Sequence, residues 1–230
     1  FQLLRWNKPS GRLILLIPAG WSLWLTPAAP PSLLVLGLMI SGGLLVSGAG
    51  CIANDIWDRK FDKKVERTKE RPLANSKVSL KAAWILLISL LLLSLFIVLS
   101  IPDNSRSLCI QLASLSLPFI LLYPSAKRWF KYPQLILSIC WGFSVLIPWA
   151  ASESSIAGGI TLLSCWLATI FWTFGFDTVY AMADEIDDQA IGLNSSAISL
   201  GKSSIKTVSF CYFISGFLLA ISAFKANLGL

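Results

Sequence analysis

The chain alternates long apolar stretches with short polar interruptions, at lengths that suit a bilayer better than a soluble core. Runs near the roughly 17–25 residues needed to cross a hydrocarbon layer fall at 13–29, 33–53, 83–101, 107–124, 134–151, 159–177 and 207–224. They predict an all-α, polytopic transmembrane helix bundle of seven spans, forming one domain over 1–230. The interruptions are unequal. Those on one side, at 26–31, 102–106 and 151–155, are short and nearly uncharged. Those on the other, at 54–82, 125–133 and 184–206, are longer and polar, so polar chemistry gathers at one membrane face.

Composition agrees: 55% of the residues are hydrophobic and 13% charged, against about 25% charged in soluble domains. The 13–29 stretch lacks a small-residue cleavage site and is followed by more spans, so it does not read as a removable signal. Phe1 at the start and a span running almost to Leu230 read as a piece of a longer protein. A net charge of +7 raises the question of nucleic acid. Placing the N-terminus inside and letting the spans alternate answers it. Only Arg106 and Lys225 then fall outside, so 17 of 19 basic residues obey the positive-inside rule. The basic surplus encodes topology, with no nucleic-acid partner and no obligate protein partner expected. Trp6, Trp21, Trp24, Trp57, Trp129 and Trp149 lie near span ends, where indoles anchor at the interface.

Five cysteines are scattered through apolar segments and histidine is absent, which argues against a zinc or haem site. Carboxylates are the conspicuous chemistry. Ten of the twelve acidic residues fall in two clusters, each just after an apolar span: Asp55 to Glu70, and Asp177 to Asp188. Four spans separate them, an even number, so both face the same side. On a helix continuing from the second span, Asn54, Asp58 and Asp62 line one face. Asp184 and Asp188 share that spacing, and Asp177, Tyr180 and Asp184 fit it. Each cluster can therefore project several oxygen ligands in one direction. Hard cations such as Mg²⁺ bind through a few carboxylates plus substrate phosphates, and two such faces suit two Mg²⁺ ions gripping a diphosphate. Lys60, Lys63, Lys64, Arg67 and Arg71 offset the first cluster. The second has no Lys or Arg between Asp177 and Asn194, which argues for a bound metal ion. A charged loop after a span is often only a solvated connection, but Asp177 directly follows Phe171–Phe176 at membrane depth, where ionisable residues are functional by default.

At these residues the sequence resembles the UbiA family of intramembrane prenyltransferases. Asn54, Asp55, Asp58, Asp62 and Arg71-Pro72-Leu73 match its first motif. Asp177-Thr178, Tyr180-Ala181, Asp184, Asp187-Asp188, Gly192 and Ser195 match its second. Tyr123-Pro124, Lys127-Arg128 and Pro133-Gln134 match a third segment, and Arg5 to Gly11 resembles the lead-in to the first helix. The loop from Asp62 to Leu73 is most similar to the 4-hydroxybenzoate polyprenyltransferase branch. Asn194, where that branch commonly has Lys, and Asn75-Ser76 depart from its pattern. A nine-helix fold is implied, so this chain would lack the C-terminal helices.

The resemblance implies Mg²⁺-dependent transfer of a polyprenyl group from polyprenyl diphosphate to the ring of 4-hydroxybenzoate, in ubiquinone or plastoquinone biosynthesis. Asp58, Asp62, Asp184 and Asp188 would hold metal, with Asn54 and Asp177 completing or orienting the shell. Arg71, Lys127 and Arg128 would neutralise the leaving diphosphate, and Tyr123, Tyr180 and Trp172 would offer π-faces to an allylic cation. Arg5, Lys8 and Arg12 are candidates to meet an acceptor carboxylate. Other aromatic acceptors (homogentisate, dihydroxynaphthoate, chlorophyllide) and, from another class, a cation transporter are the competing readings. Transporters place acids near the midplane on broken helices, whereas these lie at one face. The topology fits a bacterial inner membrane with the site facing the cytoplasm.

Overall fold

The computed structural model describes residues 2–7 and 10–228, which leaves Lys8 outside the described residues. Ten α-helices and two 3₁₀ segments follow in order, with no strand among the described residues. They are α1 (Ser10–Leu13), α2 (Leu16–Leu25), α3 (Leu33–Asp62), α4 (Leu80–Leu99) and α5 (Asp103–Leu122). After a 3₁₀ segment (Tyr123–Arg128) come α6 (Pro133–Glu153), α7 (Gly159–Ala183), α8 (Glu185–Ala190) and α9 (Ser196–Leu200). A short 3₁₀ turn (Gly201–Ser203) leads into α10 (Ser204–Lys225).

Among the described residues, six helical segments are long and apolar enough to cross a membrane, one fewer than the seven spans expected. The exception is the first. Instead of 13–29, the apolar helical stretch is Ser10–Leu25, about 24 Å long at 1.5 Å per residue and short of a hydrocarbon core of about 30 Å. Pro18 accounts for its break between α1 and α2. It has no N–H to offer the Ile14 carbonyl and its ring crowds that carbonyl; Ile17 N–H bonds Ile14 O instead, at 3.2 Å, in 3₁₀ fashion. Thr26-Pro27 stops the helix at its other end. The 102–106 connection is also shorter than expected, because α5 starts at Asp103 directly after Pro102. Other starts follow local capping chemistry: the hydroxyls of Ser32 and Ser79 accept from Val35 N–H and Ala82 N–H, each at 3.2 Å.

The bundle is lined inside by small and hydroxylated residues and coated outside by large apolar ones. Ser22, Ser138, Thr169, Thr173 and Ser222 are fully buried, whereas Leu92, Phe96, Phe213 and Ile205 are exposed. In lipid the large side chains gain nothing by moving inside, so small residues that let backbones approach take the interfaces. Buried hydroxyls then bond across them: Ser22 Oγ to Val145 O at 2.7 Å, Ser215 Oγ to Ala168 O at 2.9 Å, and Ser222 Oγ to Thr161 O at 2.8 Å. Gly142 on α6 makes room for the Trp166 indole of α7, since a Cβ there would stand 2.5 Å from its nitrogen. Trp149, expected at an interface, is instead sealed in the core beside Val145, Leu162 and Cys165. The chain is thus an integral, multi-pass membrane protein.

Neighbours along the bundle are α3 with α4, α5 with α6, α6 with α7, and α7 with α10, while α2 packs on α6 and α7. Between α2, α3, α4, α5 and α6 they leave an apolar cavity of about 590 Å³. Ile88, Leu92, Leu95 and Leu117 line this cavity and are also exposed on the outer surface, so its wall is open sideways between α4 and α5.

Candidate active site

The second span does not end at the membrane but runs on as one helix to Asp62, so Asn54, Asp58 and Asp62 share a face as expected. Asp58 and Asp62 are buried, and so is Asp55. The following loop folds back over the helix end. Val65, Leu73 and Ala74 are buried, Thr68 Oγ donates to Asp62 O at 3.2 Å, and Arg71 N–H bonds Thr68 O at 2.9 Å. This brings Arg67 and Arg71 above the carboxylates. Arg71 Nη1 reaches both Asp62 oxygens, at 3.0 and 2.9 Å, and lies 3.4 Å from Asp55 Oδ1.

From the α5–α6 connection, Arg128 Nη2 donates to Asp58 Oδ1 at 3.0 Å and Lys127 Nζ stands 3.9 Å from Asp58 Oδ2. That connection is tight because Pro124 opens a 3₁₀ turn. It is pinned to the loop after α8: Asn194 N–H donates to Lys127 O at 2.7 Å, and Ser196 N–H to Gln134 Oε1 at 2.8 Å. Asn194, a departure from the branch pattern, therefore positions Lys127 through its backbone. Gly192, at φ +72, makes the left-handed turn before it.

The second cluster departs from the expected helix. It breaks at Asp184 (φ −107, ψ 5), and Asp188 belongs to the separate short α8. The absence of a nearby cation in sequence is also corrected in space. Arg67 grips Asp184 with two hydrogen bonds, Nε to Oδ1 at 2.6 Å and Nη2 to Oδ2. This bridge between the clusters was not anticipated. The same bond raises the Arg67 pKa further above its ordinary value, so the guanidinium stays charged. Burial, its largest influence, raises the Asp188 pKa above the usual carboxylate range, opposed by Lys127.

Asp58, Asp62, Asp184 and Asp188 all line one small polar cleft of about 20 Å³, together with Arg67, Arg71 and Lys127. Among the described residues, no three acids converge into a ready metal cage. The donor set nevertheless fits Mg²⁺, which takes one or two carboxylates and completes its shell with water and substrate phosphate. Two expected members sit elsewhere. Asn54 lines the apolar cavity and not the cleft, and its buried Oδ1 has no hydrogen-bond partner among the described residues. Asp177 accepts from Tyr123 OH at 3.2 Å, and Tyr123 also lines the cavity. Asn54 and Asp58 are one helical turn apart on α3, and Tyr123 and Lys127 share the 3₁₀ segment of the connection, so the cavity's polar end lies near the cleft. Tyr180, expected to face substrate, is 51% exposed and lines neither space; its ring packs on Phe176 at 4.9 Å. Trp172 does not reach the cavity, but it backs Trp141, which does, at 6.0 Å.

A polar cleft of carboxylates and cations beside a lateral apolar cavity suits a molecule with a charged head on a lipid tail. The family model for the UbiA prenyltransferase family matches residues 15–230, and the chain belongs to that family. It is 48% identical to the 4-hydroxybenzoate solanesyltransferase of Synechocystis sp., over 87% of this chain and 66% of that protein. It is 39% identical to the 4-hydroxybenzoate octaprenyltransferase of Dechloromonas aromatica, over 99% of this chain and 75% of that protein. The chain thus spans about two thirds to three quarters of the length of these relatives. Among solved structures it is similar to a UbiA homolog from Aeropyrum pernix K1, with a TM-score of 0.81 and 25% identity over 95% of this chain and 82% of that one. The fold is also shared with a UbiA homolog from Archaeoglobus fulgidus bound to GPP and Mg²⁺, with a TM-score of 0.76 and 19% identity over 99% of this chain and 79% of that one.

Proposed function

We propose that this chain transfers a polyprenyl group from polyprenyl diphosphate to the ring of 4-hydroxybenzoate, for ubiquinone or plastoquinone biosynthesis. The observation that carries the reading is the nearness of the polar cleft to the laterally open apolar cavity: Asp58 lines the one, and Asn54, one helical turn away on α3, lines the other. A diphosphate head suits the cleft and its tail suits the cavity. The named activities of the relatives supply the acceptor.

Asp58, Asp62, Asp184 and Asp188 would hold Mg²⁺, which supplies positive charge to the diphosphate oxygens as they become a leaving group. The chain's own part is electrostatic and steric. Arg67, Arg71, Lys127 and Arg128 already face the carboxylates, and they turn to the diphosphate as it enters, because the cleft is too small for it while they cross it. The bond from the allylic carbon to the diphosphate oxygen breaks, and its electron pair leaves with the diphosphate into this cationic ring. Water is kept from the allylic carbon by the cavity wall, where Tyr123 and Trp141 offer π-faces to its positive charge. The ring carbon ortho to the phenol oxygen forms the new C–C bond, and its proton passes to a carboxylate or to the departing diphosphate. Loop charge supports a cytoplasm-facing cleft, in keeping with a bacterial inner membrane.

The test is direct. Membranes holding the full-length protein, Mg²⁺, polyprenyl diphosphate and radiolabelled 4-hydroxybenzoate should yield a lipid-soluble labelled product. Its absence with demonstrably folded enzyme, alongside product from homogentisate, dihydroxynaphthoate or chlorophyllide, would overturn the acceptor assignment.

A further inference from the structure

Four arginines of the polar end have carboxylate partners, and a fifth, deeper in the bundle, has none among the described residues. Arg5 is held to Asp55 at 2.6 Å, Arg71 to Asp62, Arg67 to Asp184 and Arg128 to Asp58. Arg12 has no carboxylate among the described residues, although it is only 4% exposed. One of its nitrogens, Nη2, donates to Leu44 O, and its guanidinium lies 4.3 Å above the Trp6 ring. Its Nε and Nη1 are buried and have no hydrogen-bond partner among the described residues. A carbonyl and an indole face solvate a cation in part but leave its charge uncancelled. Such an arrangement is costly in a low-dielectric bundle and is most readily relieved by an anion.

The surroundings say which anion. The guanidinium packs on the backbone of Gly48, where an added Cβ would lie 3.2 Å from Nη2. Gly48 stands between Ser47 and Cys51, which wall the apolar cavity, as do Gly11 and Leu15 on either side of Arg12 in sequence. Arg12 is thus one layer behind the cavity wall. The cavity is apolar along most of its lining and reaches Asn54 and Tyr123 at its polar end, where the prenyl acceptor would meet the donor. An aromatic acid is the one participant in the reaction that brings a single carboxylate into that space without a metal ion.

We propose that Arg12 is the specificity-determining cation that selects an acceptor carrying a carboxylate over its neutral counterparts, a role that rests on the acceptor reading above. Arg5 also lines the cavity, but its charge is already balanced by the buried Asp55, so it is the lesser candidate. The experiment uses the full-length enzyme in membranes, with 4-hydroxybenzoate and the uncharged 4-hydroxybenzamide as alternative acceptors. Wild type should favour the acid. Arg12→Gln should raise the KM for 4-hydroxybenzoate by about 10- to 100-fold, the scale of one charge pair attracting across a layer of low-dielectric protein. It should leave the KM for polyprenyl diphosphate within about twofold on that account and collapse the preference for acid over amide. Arg12→Lys, which keeps the charge, should recover part of the preference, and thermal melting of both variants checks that they fold. An unchanged acid-over-amide ratio in folded Arg12→Gln would overturn the inference alone. A wild type that prenylates the amide but not the acid would overturn it together with the acceptor assignment.

Discussion

The two acidic segments look alike in sequence but are built in opposite ways. The first is the end of one unbroken helix, its carboxylates buried and met by cations from the α5–α6 connection and from the loop that immediately follows. The second breaks at Asp184, places Asp188 on a separate short helix, and takes its cation from Arg67, on the loop after α3. One half of the cleft is thus rigid and neutralised from two connections, while the other is hinged and depends on the first half's loop. Their pairing teaches that the loop from Lys63 to Ser79 is not a passive connection. It supplies positive charge to both halves and ties them together before any ligand arrives.

The comparison can be broken most severely at the carboxylates. Asp58→Ala and Asp184→Ala should each cost at least about 10³-fold in turnover, beyond the loss of a single electrostatic donor, while the proteins still insert. Near-normal activity in either variant would refute a site made of two halves. Next come the two arginines of the shared loop. Arg71→Met strips the partner from buried Asp62 and should destabilise the protein by about 3–5 kcal/mol, read as a lower melting temperature. Arg67→Met frees the more exposed Asp184 and should lower kcat/KM for the donor about tenfold with little change in melting. Equal effects on melting would erase the distinction between rigid and hinged halves.

A smaller effect is expected away from the charges. A Cβ on Gly50 would meet nothing within 4 Å, and Gly50 lines the apolar cavity. Gly50→Leu should therefore fold normally and discriminate against long donors relative to short ones, measured as a ratio of kcat/KM values. A uniform loss for all donors would count against the cavity as the tail's path. The mildest test is pH. Because burial raises the Asp188 carboxyl pKa in the folded state, protonation favours folding. In chelator-treated protein its contribution is fully present below the unfolded value of about 3.9 and is lost as pH rises through the higher folded value. Asp188→Asn should flatten that part of the melting-versus-pH curve.

Much of this architecture was legible because its signals are local. Apolar run length located α3 to α7 and α10, and the spacing of Asn54, Asp58 and Asp62 worked because the helix carrying them continues. Pro18 was visible too, but its effect depends on the carbonyl four residues earlier losing its α-helical donor, which run length ignores. What stayed hidden is relational. Arg67 and Asp184 are 117 residues apart, and no local pattern links them. The missing cations of the second cluster argued for metal only while its neighbours in space were unknown. Tyr180 matches a motif, yet its ring is half exposed, packs on Phe176 and lines neither space. Arg12 stands in the sequence as one of three candidates for an acceptor carboxylate, beside Arg5 and Lys8, and nothing in its flanking residues announces that it is buried.

The side chains that face both the cavity and the outer surface, Ile88, Leu92, Leu95 and Leu117, have a kinetic consequence. A cavity of about 590 Å³ is the size that encloses a drug-sized ligand, well short of a long polyprenyl chain, so the remainder of the tail stays among the lipids through that gap. Donor and product then exchange by lateral diffusion in two dimensions, and the quantity that saturates the enzyme is their mole fraction in the bilayer. Adding inert lipid at constant amounts of enzyme and donor should slow the reaction by surface dilution, whereas changing the aqueous volume should affect only the water-soluble acceptor.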